Sequence, residues 1–271
     1  MTSYKRMRPL LGTFVEIGVE GPVATAERAV SAAFAIVQRL HSLLSFHEAT
    51  SDLTRLNQAG GAEIEVHPHT LRVLRLARGM TLTSGGLFNC TLGGAMVQKG
   101  VLPDHGGTDI LPSGNAGDIQ INGTRVGFKR PVKITLDGIA KGYAVDCAIA
   151  AMKRNGVNTG WVNAGGDLRV YGDMVLPVQR REANGEIIAL GGLRDAALAS
   201  SRISRKFDAQ FPGLIIGEET LPAEGIWSVM AHRAWRADAL TKVASLAGDS
   251  EREALITRLG GVVVMPQQSV H

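Results

Sequence analysis

The most regular hydrophobic pattern of the chain lies between residues 23 and 44. Apolar side chains recur there at helical spacing, while Glu27, Arg28 and Arg39 lie on the other face. Pro22 stands just before the pattern, where a proline is compatible with the start of a helix. The pattern therefore predicts an amphipathic helix. Further helices are predicted over 69–84, 140–155, 236–247 and 250–259.

Segments of strand character lie between these helices. The turn pair Asn122-Gly123 separates 119–121 from 125–128, which is typical of a β-hairpin. Other strands are predicted over 10–20 with an interruption near its start at 12–13, over 161–171 with an interruption at 164–167, and over 134–136, 186–190, 214–216, 226–231 and 262–265. Small and polar residues dominate 100–118, which favours a mobile loop that closes over a ligand. With neither a fixed repeat nor an internal linker, the pattern predicts an α+β fold of mixed sheets and packed helices.

Composition excludes several classes of protein. Of the 271 residues, 45% are hydrophobic and 20% are charged, which is typical of a globular protein and not of a disordered one. Because no apolar run approaches the roughly 18 residues that span a bilayer, no membrane segment is expected. The 29 Lys and Arg exceed the 25 Asp and Glu, but they are scattered, so nucleic acid is not an expected partner. A modest positive balance also suits a ligand that carries phosphates.

The N-terminus and the cysteines bear on the cellular compartment. Residues 1–13 contain no uninterrupted apolar stretch and no small-residue cleavage site, so a signal peptide is not expected. Cys90 and Cys147 are too few for a disulfide framework, which favours buried thiols in a reducing compartment. A cytoplasmic location is therefore expected, or a periplasmic one if a leader has been removed.

Four segments at element boundaries combine glycine with polar residues: 83–91, 134–146, 162–168 and 236–243. Each has a purely structural interpretation, as a helix end with a turn, a capped helix, a β-bulge, or a capping aspartate. Each also has a functional one. Glycines at 85–86 would let backbone approach a flat ligand beside Phe88, and the helix start at Lys141 would attract a phosphate. Asp167 would face a ligand, and Asp238 with Thr241 would offer oxygen to a divalent cation.

Taken together and in this order, these segments resemble the ApbE family, whose members are FAD:protein FMN transferases. The most specific part of the resemblance is Ile139-Ala-Lys-Gly-Tyr-Ala-Val-Asp146. It is accompanied by Leu11-Gly-Thr13, Ser51-Asp-Leu-Thr-Arg-Leu-Asn57, Gly86-Leu-Phe-Asn-Cys-Thr91, Asn163-Ala-Gly-Gly-Asp167 and Ala237-Asp-Ala-Leu240. The resemblance covers residues 8–268 and implies a single large domain of two closely packed halves.

The resemblance also implies an activity and a set of site residues. Family members bind FAD with a divalent cation, usually Mg²⁺, transfer its FMN half to a Thr or Ser hydroxyl of an acceptor flavoprotein, and release AMP. The implied FAD-contact positions are Leu11, His47, Leu87, Phe88, Asn89, Thr135, Lys141, Asp167 and Ile216. The implied metal ligands are the carbonyl of Gly138, Asp238 and Thr241, and the implied catalytic residues are Asp238, Lys141 and Lys242.

The chain departs from the family pattern at the reactive end. The family's Phe-Asp-Pro-Thr is Phe88-Asn-Cys-Thr91 here, and a stacking Tyr is replaced by His47. The family's His-Ile-Ile-Asp aligns with residues 214–217, so that Leu214 stands in place of the general base. Loss of a positioned base typically lowers the rate by about 10²–10⁴. Transfer is then expected to be slow, absent, or dependent on another base, for which the candidates are Glu218, Glu219 and His47.

Lys242 is the departure that concerns the metal. The family's Asp-Ala-x-x-Thr is Asp238-Ala-Leu-Thr-Lys242 here, which puts an ammonium where a hydroxyl would meet the cation. An ammonium within about 4 Å of a dication is repelled by several kcal/mol. Lys242 therefore either points away, leaving Thr241 as ligand, or replaces the metal as the counter-charge of the diphosphate. Two alternatives to transfer remain open, namely a catalytically silent flavin carrier and an FAD pyrophosphatase.

Overall fold

The computed structural model describes residues 3–107, 109–182, 184–205 and 221–264. The helices in these residues are α1 (Val23–Leu44), α2 (Asp52–Gln58), α3 (Pro68–Thr83), α4 (Gly93–Gln98), α5 (Ala140–Arg154), α6 (Ala234–Leu246) and α7 (Arg252–Arg258). The long helix predicted after Pro22 is confirmed as α1, and its apolar positions are buried. None of the described helices combines the length and the apolar character that a membrane span requires.

A seven-stranded antiparallel sheet forms the largest layer. Its strands, in spatial order, are β1 (Ser3–Leu10), β2 (Thr13–Glu20), β6 (Thr159–Ala164), β7 (Asp167–Tyr171), β10 (Ala197–Ile203), β11 (Gly225–Ala231) and β12 (Gly261–Val263). A second sheet joins β3 (Ile64–Glu65), β5 (Arg125–Phe128) and β4 (Ile119–Asn122), and a third pairs β8 (Leu176–Arg181) with β9 (Ile187–Leu193). The predicted α+β class is confirmed.

Two main hydrophobic cores meet at α5 and α6. One core lies between the large sheet and helices α1, α5 and α6, and contains Ile17, Phe34 and Ile149. The second core is formed by α2, α3, the three-stranded sheet and the remaining faces of α5 and α6, and it contains Leu53, Leu74 and Leu240. Since both helices supply side chains to both cores, groups at their facing ends are held from two sides.

Three strand predictions differ from the structure. Residues 10–20 are not one strand, because Leu11 and Gly12 adopt positive φ and form the turn between β1 and β2. Residues 161–171 are not one interrupted strand but the β6–β7 hairpin, whose turn residues Gly165 and Gly166 also have positive φ. Residues 134–136 are not a strand. The predicted strand at 214–216 lies outside the described residues.

The extended segment at 134–136 has a side chain as its hydrogen-bonding partner. The amide of Asn57 donates to the carbonyl of Ile134 and accepts from its N–H, both at 2.8 Å. The N–H of Thr135 donates to the carbonyl of Cys90 at 2.9 Å. These bonds replace a neighbouring strand, and they explain why the chain carries Asn57 at the end of the motif that starts at Ser51.

Candidate active site

Helices α5 and α6 cross in close contact at Gly142. A Cβ built on Gly142 would lie 2.3 Å from the carbonyl oxygen of Ala234, so only glycine permits this approach. The crossing is also tied by Asp146, whose carboxylate accepts from the N–H of Trp235 at 3.1 Å and pairs with Arg169 on β7. The family motif that ends at Asp146 therefore sets the position of α6 relative to α5.

Asp238 is fully buried at this crossing. Its Oδ2 accepts from the N–H of Gly142 at 3.2 Å, and its Oδ1 lies 2.6 Å from Nζ of Lys242. Burial by itself would raise the pKa of Asp238, but the ammoniums of Lys242 and Lys141 outweigh it and hold that pKa below the usual range. Asp238 is therefore an ionised carboxylate at the N-terminal end of α5, where the helix dipole also favours negative charge.

The α5 start is consequently not a set of free amides. The sequence interpretation expected unpaired N–H groups there that would attract a phosphate. In the structure the N–H of Gly142 is bonded to Asp238, and that of Ala140 donates to the carbonyl of Leu136 at 3.0 Å. Any attraction for phosphate at this point has to come mainly from side-chain ammoniums.

Lys242 points into the cluster and is only slightly exposed, with 14% of its side chain accessible. Besides Asp238 it contacts Oγ of Ser201 on β10 at 3.1 Å. Its alkyl chain passes beside Gly138, since a Cβ built on that glycine would lie 2.7 Å from Cε and 3.3 Å from Nζ. The sequence left open whether Lys242 turns outward or inward, and the structure has it inward.

Lys141 and Asp167 form the second ion pair of the cluster. Nζ of Lys141 lies 3.5 Å from Oδ2 of Asp167, and the lysine side chain is 40% exposed whereas the carboxylate is buried. Burial first, and then the charge of Asp238, raise the pKa of Asp167 to about 7 against the opposing effect of the two lysines. The carboxylate of Asp167 in turn raises the pKa of Lys141. Lys141 and Asp238, which the sequence placed in one site, are therefore together.

The turn at Leu11 lies next to this cluster. Thr13 packs against the β6–β7 turn so closely that a Cβ on Gly165 would come within 2.4 Å of its hydroxyl oxygen, and Asp167 follows two residues later. Residues 9–14 and His41 line an open cleft of about 410 Å³. Leu11 has a φ of +57°, which is unusual for a residue other than glycine.

The turn at 84–91, expected to contact flavin, is tightly bonded to its surroundings. Phe88 is 4% exposed and belongs to the second core, while Leu87 is half-buried. The side chain of Asn89 accepts from the N–H and the hydroxyl of Thr91 and donates to the carbonyl of Gly114 at 3.0 Å. Packing and loop bonding thus account for these residues, and flavin contact at Leu87, Phe88 and Asn89 stays a prediction.

The remaining FAD-contact positions differ in exposure. Thr135 is buried, and its hydroxyl donates to Oδ2 of Asp137 at 3.1 Å. His47 is exposed. Ile216 lies outside the described residues, as do Leu214, Gly217 and the candidate bases Glu218 and Glu219.

The loop predicted to close over a ligand is anchored at several points. Buried Lys133 donates to the carbonyl of Gly106 at 2.7 Å. The ring of His105 bonds the carbonyl of Phe46, also at 2.7 Å, and the N–H of Gly114 donates to the hydroxyl of Thr91 at 2.9 Å. These bonds hold both halves of the loop against the second core.

The residues implied as metal ligands do not fit a resident Mg²⁺. Both oxygens of Asp238 are engaged, and the chain of Lys242 lies against Gly138. The hydroxyl of fully buried Thr241 contacts the carbonyl of Asp238 at 2.7 Å and Oγ of Ser201 at 2.9 Å. Across the described part of the chain, no group of three or more His, Cys, Asp or Glu side chains is arranged to hold a metal. A dication at this point would meet an ammonium instead of a set of oxygens.

Sequence reasoning missed the residues that build the crossing. Gly142 and Asp146 lie in the motif that carries the resemblance but were given no role, and Arg169 and Ser201 were not singled out. The spacing of Gly142 and Asp146 by four, on one face of α5, was the available signal. Their partners on α6, β7 and β10 are distant in sequence, so nothing local identified them.

Comparison with known proteins identifies the family of the chain. Residues 11–265 match the sequence profile of the ApbE family. The chain belongs to that family. An ApbE protein of Thermotoga maritima has the same fold, with a TM-score of 0.80 at 21% identity over 99% of this chain and 97% of that one.

Two curated ApbE relatives carry a functional name. A protein of Rhodobacter capsulatus named FAD:protein FMN transferase is 26% identical over 93% of this chain, and one of the same name from Treponema pallidum is 25% identical over 96%. The chain spans 53% of the length of the Rhodobacter relative and 83% of the Treponema one.

Proposed function

We propose that this chain is an FAD:protein FMN transferase that moves FMN from FAD to a Thr or Ser hydroxyl of an acceptor protein. The observation that carries the proposal is the meeting of two ammoniums, Lys141 and Lys242, with the buried carboxylates Asp167 and Asp238 at one crossing of two helices. Paired cations held on rigid elements suit the diphosphate of FAD. Membership of the ApbE family and the names of the two curated relatives support the same reading.

The reaction requires an oxygen of the acceptor to form a bond with the phosphorus of the FMN half. The bond from that phosphorus to the bridging oxygen breaks, AMP leaves with the electron pair, and the hydroxyl proton passes to a base. Little covalent chemistry falls to the enzyme, so positioning and charge stabilisation supply most of the rate. In this proposal Lys141, the more exposed lysine, contacts the diphosphate directly. Lys242, which is more deeply buried, offsets the negative charge of the diphosphate from inside the site.

The flavin ring is assigned to the cleft at Leu11. This cleft is open, its volume of about 410 Å³ suits part of a flat ligand, and Leu11 and Phe14 provide apolar surface. It adjoins the β6–β7 turn that leads to Asp167, which brings a bound ring close to the lysine pair. Leu87, Asn89 and Thr135 are proposed as further contacts on the strength of the family resemblance.

A second candidate is a silent flavin carrier, favoured by Leu214 at the position of the family's general base.

One experiment separates transfer, FAD hydrolysis and silent binding. The purified chain is incubated with FAD and with the acceptor protein of the Rhodobacter capsulatus relative, and the products are analysed by mass spectrometry and chromatography. Covalent FMN on the acceptor supports the proposal. Free FMN with AMP identifies a pyrophosphatase, and unchanged bound FAD identifies a carrier.

Two variants sharpen this test. Lys141→Gln removes one ammonium and is expected to weaken FAD binding by about 10- to 100-fold, as expected for the loss of a charge-assisted bond. Lys99→Gln makes the same change at an exposed lysine on the end of α4 and is expected to leave binding unaltered. Equal effects of the two variants would contradict a diphosphate site at Lys141.

A further inference from the structure

We infer that the ammonium of Lys242 takes the place of a divalent cation in this chain, so that FAD binds here without a metal. The part that concerns FAD binding rests on the proposed function. The part that concerns metal exclusion stands on the geometry of the free protein.

The position of the ammonium is the first argument. Nζ of Lys242 lies 2.6 Å from Oδ1 of Asp238, 3.3 Å from the carbonyl of the same residue and 3.1 Å from Oγ of Ser201. Three oxygens around one nitrogen match the three donors of an ammonium. The cation that these oxygens surround is therefore part of the chain itself.

The loss of ligand space is the second argument. Gly138 has a φ of +94°, and the space beside its Cα is filled by Cε and Nζ of Lys242. The hydroxyl of Thr241 contacts the carbonyl of Asp238 on α6 and the hydroxyl of Ser201 on β10. Of the three implied metal ligands, Gly138 has the Lys242 side chain against its Cα, and Asp238 is bonded to Lys242. The hydroxyl of Thr241 shares the carbonyl of Asp238 and the hydroxyl of Ser201 with Lys242.

Charge is the third argument. Lys141 and Lys242 together carry two positive charges, as many as one Mg²⁺, and the pair faces the same buried carboxylates. Beside a bound diphosphate, the two ammoniums would lower the negative charge of the site by as much as one Mg²⁺ would. A dication added beside them would be repelled by both ammoniums.

Metal binding to the FAD-free protein tests exclusion directly. Mn²⁺, used as a probe for Mg²⁺, is titrated by electron paramagnetic resonance into the wild-type chain, Lys242→Thr and the control Lys99→Thr. We expect no stoichiometric site in the wild type or the control, and Mn²⁺ binding at least about tenfold tighter in Lys242→Thr, which replaces the ammonium with a hydroxyl. A stoichiometric site in the wild type, or equally weak binding in all three proteins, would overturn the inference.

FAD affinity provides a readout that depends on neither transfer nor an acceptor. Flavin fluorescence titrations are run in EDTA and in Mg²⁺. The wild type is expected to bind FAD equally in both, whereas Lys242→Thr is expected to bind about tenfold more weakly in EDTA and to recover in Mg²⁺. If Lys242→Thr does not fold, Lys242→Gln serves, with the loss in EDTA as its expected result. Wild-type binding that requires Mg²⁺ contradicts the inference, and absent transfer in every protein contradicts only the proposed function.

Discussion

The backbone N–H of Gly142 on α5 donates a hydrogen bond of 3.2 Å to the carboxylate of Asp238 on α6. The same glycine lets the carbonyl of Ala234 approach so closely that a Cβ would lie 2.3 Å from it. One residue therefore ties the two helices together and places the buried carboxylate that holds Lys242. The charged cluster depends on this crossing as much as on its own side chains.

Gly142→Ala is accordingly expected to separate the helices. Since the clash is with backbone, the variant should lose about 1–3 kcal/mol of unfolding free energy in urea and bind FAD more weakly. Gly79→Ala on α3 is the matched control, because nothing lies within 4 Å of its added Cβ. Alanine there should raise stability by about 0.5–1 kcal/mol. A gain at both positions would mean that helix propensity and not the crossing governs the result.

Asp146 gives a second test of the same crossing. Its carboxylate pairs with the buried guanidinium of Arg169 and accepts from the N–H of Trp235, so Asp146→Asn leaves a buried charge without its counter-ion. We expect a loss of about 3 kcal/mol in chemical unfolding. Asp173→Asn breaks an ion pair with Arg194 in which both side chains are largely exposed, and it should change stability by less than about 1 kcal/mol. Similar losses in the two variants would refute a special role for Asp146.

Much of the fold was predictable where structure is local. Helix α1 followed from its apolar period, and the hairpin of β4 and β5 followed from Asn122-Gly123. Gly12 indicated an interruption of the predicted strand, but the β1–β2 turn itself was not predicted because Leu11 is a poor residue for positive φ. The segment at 134–136 was misassigned because its partner is the side chain of Asn57, 77 residues away, and not a strand.

The site was predictable only as a set of positions. The resemblance placed Lys141, Asp167, Asp238 and Lys242 together, and the structure has them in one cluster. It could not give the direction of Lys242, because that depends on Ser201 of β10 and on the space beside Gly138. Nor could it show that Phe88 lies in the core, since an aromatic residue after two glycines suits a ligand contact and a packed turn equally.

The raised pKa of Asp167 predicts a specific pH dependence of stability. Between about pH 4 and its folded pKa of about 7, the folded chain retains a proton on Asp167 that the unfolded chain has lost. The unfolded state then binds fewer protons, so this group makes unfolding easier as pH rises, by at most about 1.4 kcal/mol per pH unit. Its stabilising contribution is complete below pH 4 and lost above pH 7.

Asp167→Asn isolates this effect, because an amide does not titrate in this range. The unfolding free energies of the wild type and of Asp167→Asn are compared at each pH from 4 to 8. We expect the wild type to lose stability relative to the variant as pH rises to 7, and no further change above it. The comparison is needed because Asp118, whose pKa is lowered by the guanidinium of Arg130, contributes with the opposite sign in acid. Parallel curves for the two proteins would contradict a raised pKa at Asp167.

Leu11 holds a strained backbone at the proposed flavin cleft. Its φ of +57° is disfavoured for leucine by about 1–2 kcal/mol, whereas asparagine tolerates it. Leu11→Asn and Leu11→Ala both remove the apolar contacts of a half-buried side chain, but only asparagine relieves the backbone. The asparagine variant should therefore be about 1 kcal/mol more stable than the alanine variant.

Both Leu11 variants should bind FAD more weakly than the wild type, and by similar factors, because both remove the side chain assigned to the ring. A fluorescence titration with FAD, alongside thermal unfolding, checks the two expectations together. The strained backbone of Leu11 is explained if its side chain serves to contact the flavin ring and not to stabilise the fold. If instead Leu11→Asn is less stable than Leu11→Ala and binds FAD like the wild type, Leu11 serves the packing of the two cores, and the ring must be sought elsewhere.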